Sequence, residues 1–225
     1  MLDRLHLCVI TDATLVPGRD HVAIAGAALS AGADMIQLRD KRGDLRTLLP
    51  QARAIRALCR SSGAVFIVND RLDLALASEA DGVHVGQDDL PAEVARRLLG
   101  PGRLVGVSTH DRAQAERAQA QGADYIGFGP MFRTGTKDTG YSPRGATMLR
   151  EVRAAVSLPI LAIGGISLEN VAEVIVAGAT APAVISAIAA APDVAVATAA
   201  FRERVLAAKG LSRDDPPSRN VASTG

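Results

Sequence analysis

Short, continuous apolar runs alternate along the chain with alanine-rich stretches whose hydrophobic residues recur at helical spacing. The runs predict strands at residues 5–11, 35–38, 65–68, 82–85, 104–107, 125–128, 160–163 and 183–186. Unbroken apolar runs, rather than alternating ones, suit parallel strands covered on both faces. Between them, Leu45, Leu48, Leu49, Ala52, Ile55 and Leu58 would share one helix face, with Arg46, Arg53, Arg56 and Arg60 largely off it. Asp111, with Gln114 three residues on, and Ser167 read as N-caps of further helices.

A small phrase recurs where helix gives way to strand: Gly32-Ala33-Asp34, Gly122-Ala123-Asp124 and Gly178-Ala179-Thr180. Glycine suits the left-handed position just past a helix C-terminus, and the polar residue leads into the next buried strand. Eight such αβ repeats in 225 residues predict an α/β fold, a single (β/α)8 TIM barrel. An open doubly wound sheet is the alternative, but no GxGxxG follows the first strand. The barrel domain is expected over residues 1–208. Residues 209–225, with Pro216-Pro217 and scattered polar groups, read as a disordered tail that includes Lys209.

Charge and composition narrow the function classes. A net charge of +1 with mixed signs, and no Trp, argues against general nucleic-acid binding. The uncharged segment 174–192 is nearly long enough to span a bilayer, but Gly178 and Pro182 break it, so a buried αβα passage is expected and no membrane partner. Cys8 and Cys59 suggest neither a disulfide scaffold nor a CxxC site, and the N-terminus lacks a secretory apolar region. A cytoplasmic setting is expected.

In a barrel of this kind the chemistry sits where the strands end. Strand two runs into Gln37-Leu38-Arg39-Asp40-Lys41, strand three into Asn69-Asp70-Arg71, and strand four into Gln87-Asp88-Asp89. Strand five runs into Ser108-Thr109-His110 and strand six into Thr134-Gly135-Thr136-Lys137. Gly164-Gly165 follows the seventh, and Ile185-Ser186 closes the eighth, at the phosphate-binding corner of the fold. Asp70 and Asp89 on neighbouring strand ends have the character of a Mg²⁺ site, although Asp70 alone also suits a helix N-cap. The chain has only three lysines, and two, Lys41 and Lys137, stand in these loops. Cations converging with an acid pair suggest a polyanion, most simply a diphosphate leaving group.

These phrases, taken in order from Val9-Ile10-Thr11-Asp12 through Gly82-Val83-His84-Val85-Gly86-Gln87-Asp88-Asp89 to Ile163-Gly164-Gly165-Ile166 and Ile185-Ser186-Ala187-Ile188, closely resemble the thiamine phosphate synthase family. The resemblance implies a transferase that joins a pyrimidine diphosphate to a thiazole phosphate and releases pyrophosphate. It implies that Gln37, Arg39, Lys41, Asn69, Ser108 and Lys137 hold the diphosphate substrate, with Arg39, Lys41, Ser108 and Lys137 acting in catalysis. It assigns Mg²⁺ to Asp70 and Asp89, leaves Asp88 a bystander, and places Thr134, Thr136, Gly165, Ile185 and Ser186 on the thiazole phosphate. The implied mechanism is dissociative, with no protein nucleophile. The chain departs from the family's pattern at Arg133, where proline is common, and at Ala181-Pro182. A thiazole tautomerase using His110, and an inactive barrel that only binds a phosphate ester, are the alternatives. His6 and His21 read as structural or solvated, His84 as a satisfied barrel histidine, and Tyr125 as packing. The partners are small molecules, with a homo-oligomer left open.

Overall fold

The computed structural model describes residues 2–135 and 140–212, apart from the Asp3 side chain. Thr136, Lys137 and residues 213–225 of the expected tail lie outside the described residues.

The strands are β1 (Cys8–Thr11), β2 (Met35–Leu38), β3 (Val65–Asn69), β4 (Gly82–Val85), β5 (Leu104–Thr109), β6 (Tyr125–Phe128), β7 (Ile160–Ile163) and β8 (Ala181–Val184). All neighbours pair in parallel, and β8 returns to β1 through Cys8↔Ala183 and Val9↔Val184, so the sheet closes and the open alternative is excluded. The first helices are α1 (His21–Ser30), α2 (Leu45–Ser62), α3 (Leu72–Ala77) and α4 (Ala92–Leu99). There follow α5 (Arg112–Ala120), α6 (Gly145–Ala155), α7 (Val171–Val176), α8 (Ser186–Ala189) and α9 (Val194–Ala208).

Four strands differ in their bounds from the sequence expectation, of which β3 and β5 simply run further, to Asn69 and Thr109. β1 starts at Cys8 rather than residue 5, because Leu2–Arg4 forms a 3-10 turn and Leu2 and Leu5 pack into the interior cluster with Ile10, Met35 and Ile67. The apolar run there is a plug followed by a strand. β8 starts two residues early, with Pro182 inside it opposite Ala162, so Ile185 and Ser186 lie beyond the strand. The Thr180 N–H donates to Ile160 O, so two residues on Pro182 turns its nitrogen to the same neighbour and one ladder bond is forgone. The Thr180 hydroxyl, which accepts from the Ile160 N–H at 3.0 Å, supplies a bond one step earlier.

That bond belongs to a device repeated four times on the N-terminal face of the barrel. Asp34, Asp81, Asp124 and Thr180, each directly ahead of an even-numbered strand, donate their N–H to Leu7, Phe66, Val105 and Ile160 respectively. Each side chain accepts the N–H of that same residue in return, at 2.7–3.0 Å. These reciprocal clamps satisfy backbone groups that the ladder leaves over at the strand starts. Gly32, Gly122 and Gly178 precede three of them with φ of 91°, 82° and 106°, each ending its helix. The fourth is hidden in the sequence because Glu79, at φ 55°, stands where the others have glycine.

The α2 helix buries Leu48, Ala52, Ile55 and Cys59, while Leu45 at its first turn is exposed. Asp111 caps α5 as expected, accepting from Gln114 N. Ser167 does not cap α7, because the helix starts a turn later at Val171 and Asn170 Oδ1 instead accepts from the Ser167 N–H. Lys209 closes α9, and its ammonium donates to Leu5 O at 2.6 Å beneath the barrel. The uncharged 174–192 segment resolves into the end of α7, then β8 and α8. Among the described residues no helix is long and apolar enough to cross a membrane.

Candidate active site

At the C-terminal face, Ser108, Thr134, Gly165, Ile185 and Ser186 line one cavity together with His110. Five residues from four strand ends, singled out in the sequence, thus meet at one place. The Gly164-Gly165 turn is a seat for the loop after β6. A Cβ on Gly165, at φ +65°, would lie 2.5 Å from Arg133 O, and one on Gly164 would lie 2.8 Å from Pro130 Cα. The loop after β6 therefore rests directly on these glycines, with Phe132 N donating to Gly164 O. Arg133 itself is exposed.

The cationic residues stand on the other side of the barrel mouth. Arg39 Nη1 meets Asp12 Oδ2 at 2.8 Å, with side chains only 13% and 8% exposed. Breaking a pair so buried typically costs about 3–5 kcal/mol, so Arg39 is held in place. Lys41 Nζ lies 3.7 Å from Asp70 Oδ2 and is half exposed, in a pair worth about 0–1 kcal/mol. Such an ammonium can leave its carboxylate for a phosphate oxygen at little cost. Behind them, His21 is buried and joins Thr11 Oγ1 (2.8 Å) to Asp40 Oδ2 (3.3 Å). Burial pushes the Asp40 carboxyl up, but N–H groups of Arg42 and Gly43 and the His21 ring outweigh it and hold the group below its ordinary range.

A polar chain connects the two sides through the barrel interior. His84 Nε2 lies 2.9 Å from Ser108 Oγ, and His84 Nδ1 lies 3.2 Å from the Tyr125 hydroxyl. Burial pushes that hydroxyl far above its ordinary range, the Asp124 charge adds to this, and the Gln37 amide opposes it. A phenol kept protonated can donate to Nδ1, leaving the ring proton on Nε2 to face Ser108. His84 is thus a satisfied barrel histidine that holds Ser108. Tyr125 is more than packing. His21 likewise supports the loop that carries Lys41.

Asp70 is not a helix N-cap, since α3 begins after Arg71 without any side-chain cap. Its φ is +61°, its N–H donates to His84 O, and Arg71 N turns back to Asn69 O at 2.7 Å. Aspartate tolerates this conformation better than most residues, and a non-glycine residue held there is a recurrent mark of functional sites. Asn69 ends β3 half-buried beside it. Asp88 and Asp89 are both exposed, but Asp89 Oδ2 accepts from the Gly86 N–H at 2.8 Å, where a side chain on residue 86 would collide with it. No group of three or more acidic, histidine or cysteine side chains that could hold a metal occurs among the described residues. Two hard oxygen donors on adjacent strand ends fit Mg²⁺, which commonly takes one or two carboxylates and completes its shell with water and phosphate.

The chain is similar to named proteins over most of its length. It is 52% identical to a thiamine-phosphate synthase of Methanoculleus marisnigri over 207 residues, 92% of this chain and 98% of that one. It is 51% identical to the Moorella thermoacetica thiamine-phosphate synthase, covering 91% of this chain and 97% of the other. The solved thiamine phosphate pyrophosphorylase of Pyrococcus furiosus superposes with a TM-score of 0.85 at 38% identity, over 92% of this chain and 98% of that one. The model of the thiamine monophosphate synthase family matches residues 7–188, a span that contains every strand and every candidate site residue, and the chain belongs to that family.

Proposed function

We propose that the protein joins a hydroxymethylpyrimidine diphosphate to a thiazole phosphate, giving thiamine phosphate and pyrophosphate. The observation that carries this reading is the cavity shared by Ser108, Thr134, Gly165, Ile185 and Ser186, facing an arc of Arg39, Lys41, Asp70 and Asp89. Enzymatic transferase activity in thiamine biosynthesis is supported by relatives of about half-identical sequence that bear the name thiamine-phosphate synthase.

In this reading the carbon–oxygen bond between the pyrimidine methylene and the diphosphate breaks first, and the departing electrons stay on the diphosphate. Arg39, fixed by Asp12, offers a directed guanidinium to that charge, and Lys41 exchanges its weak pair with Asp70 for a phosphate oxygen. Ser108, held by His84, contacts the pyrimidine substrate at the cavity wall. The thiazole nitrogen then closes a carbon–nitrogen bond to the methylene, so no protein nucleophile is needed. Asp70 and Asp89 would hold Mg²⁺, which when bound neutralises charge on the diphosphate oxygens. Lys137 and Thr136 enter on sequence alone, as a further diphosphate cation and a thiazole phosphate contact.

The tautomerase reading keeps one observation in its favour, since His110 lines the cavity. Purified protein supplied with both phosphorylated precursors separates the readings. Magnesium-dependent appearance of thiamine phosphate and pyrophosphate is expected. Isomerisation of the thiazole without magnesium would favour the tautomerase, and binding without product would leave an inactive phosphate-ester barrel.

A further inference from the structure

His110 does not stand alone at the cavity wall. Its Nδ1 lies 2.6 Å from Gly129 O, and its backbone N–H donates to Gln114 Oε1 at 2.8 Å. The ring of Tyr141 stacks on it, with centroids 4.0 Å apart and planes 23° from parallel. On Tyr141 in turn lies the Arg144 guanidinium, its Cζ 4.8 Å from the ring centroid. Arg144 is itself anchored through its backbone, because its N–H donates to Pro130 O at 2.8 Å and Gly145 N follows to Met131 O. Three side chains thus form a column from the start of α6 to the end of β5.

The column has a functional rather than a core character. Tyr141 is 40% exposed and belongs to neither buried cluster, so burial does not explain its placement. Arg144 Nε is buried without a partner, a cost that the contact with the ring helps to offset. What the column fixes is the imidazole, a ring that lines the cavity beside Thr134 and Gly165.

We propose that Tyr141 is a positioning residue for the thiazole phosphate: clasped between Arg144 and His110, it sets the imidazole as the wall against which that substrate lies. The proposal rests on the function inferred above and adds a residue that decides how well the second substrate is held. The cations that would take the pyrimidine diphosphate, Arg39 and Lys41, stand across the mouth from the column and pair with Asp12 and Asp70 rather than with it.

The test uses calorimetric titration of thiazole phosphate into the full chain, alongside KM for each substrate. Tyr141→Ala is expected to weaken thiazole phosphate binding about 3–10-fold, the range set by one aromatic stack, and to raise its KM alike. The KM for pyrimidine diphosphate should stay within twofold. Tyr141→Phe keeps the ring and should bind within twofold of the wild type. In a His110→Ala background, Tyr141→Ala should add no further loss, because the residue acts through the imidazole. Thermal melting reports whether each variant is folded, and a fall in both KM-linked affinities together would mark a general loosening and overturn the proposal. Unchanged binding in Tyr141→Ala, or Tyr141→Phe as weak as Tyr141→Ala, would also overturn it. A wild-type protein that neither binds thiazole phosphate nor makes product sinks the underlying function as well, whereas an active wild type with indifferent variants sinks only the role of Tyr141.

Discussion

Asp34 enters β2 and Asp40 leaves it, and the two carboxylates lie in opposite settings. On the N-terminal face, Asp34 is buried and accepts from the N–H groups of His6 and Leu7. Burial pushes its carboxyl up, against those two hydrogen bonds and the charges of Arg202 and Lys209. On the C-terminal face, Asp40 is held below its ordinary range and faces a half-exposed lysine loop. The contrast extends around the barrel. Below, polar groups close on one another in four reciprocal clamps. Above, Lys41 and Asp89 are bound only weakly or locally, so a ligand can complete what the protein leaves open.

The largest effect that sharpens this contrast is expected at the upper face. Asp70→Asn and Asp89→Asn should each lower turnover roughly 100-fold at limiting magnesium while leaving the melting temperature nearly unchanged. A magnesium titration identical to the wild type's in both variants would remove these residues from the metal site. The lower face should behave in the reverse way. Asp124→Ala leaves the Val105 N–H and the Arg96 guanidinium without their carboxylate, and should cost about 1–3 kcal/mol in denaturant unfolding. Activity per folded molecule should not change, and a selective loss of turnover there would erase the distinction between the faces.

A smaller gain is expected from Glu79→Gly. A non-glycine residue at φ 55° carries a penalty of about 1–2 kcal/mol, and the added chain entropy of glycine takes back up to about 1. The variant should therefore be more stable by a few tenths to about 1 kcal/mol, and a destabilised Glu79→Gly would mean that the side chain has a job of its own. The smallest effects concern pH. Asp40 has a folded pKa below its unfolded one, so its contribution is present above the ordinary carboxylate range and lost as pH falls through the folded value. Asp34 has the opposite sign, its contribution being present at low pH and lost as pH rises through a raised value. Urea midpoints measured across pH should show a flatter acid limb in Asp40→Asn and a smaller loss on raising pH in Asp34→Asn. Curves parallel to the wild type in both would contradict the assigned directions.

The strands were legible because parallel strands covered on both faces leave uninterrupted apolar runs, and three of the four helix stops were legible because glycine marks them. Residues 5–7 mislead because Leu5 and Leu7, which lead into β1, share the strand's apolar composition, and Pro182 misleads because proline suits a strand boundary as well as a tolerated gap in one ladder. Strand ends named the candidate site residues, since the fold fixes where loops converge. The supporting network was not legible. Thr11 and His21 meet through the irregular passage from β1 into α1, and His84 and Tyr125, 41 residues apart on β4 and β6, meet only inside the barrel. Asp40 carried a usable signal, since it stands between Arg39 and Lys41 at a strand end, whereas Asp12 follows β1 with no cation beside it in the sequence.

Each clamp joins an odd strand to the even strand that follows, so the barrel is stitched as four βαβ quarters, with no such side-chain clamp between one quarter and the next among the described residues. The seams between quarters run through the loops after β2, β4, β6 and β8. Those loops carry Lys41, Asp89, Thr134 and Ser186. Substrates that engaged all four would fasten the quarters to one another at the mouth, making the reactants themselves the rivets of the assembled enzyme.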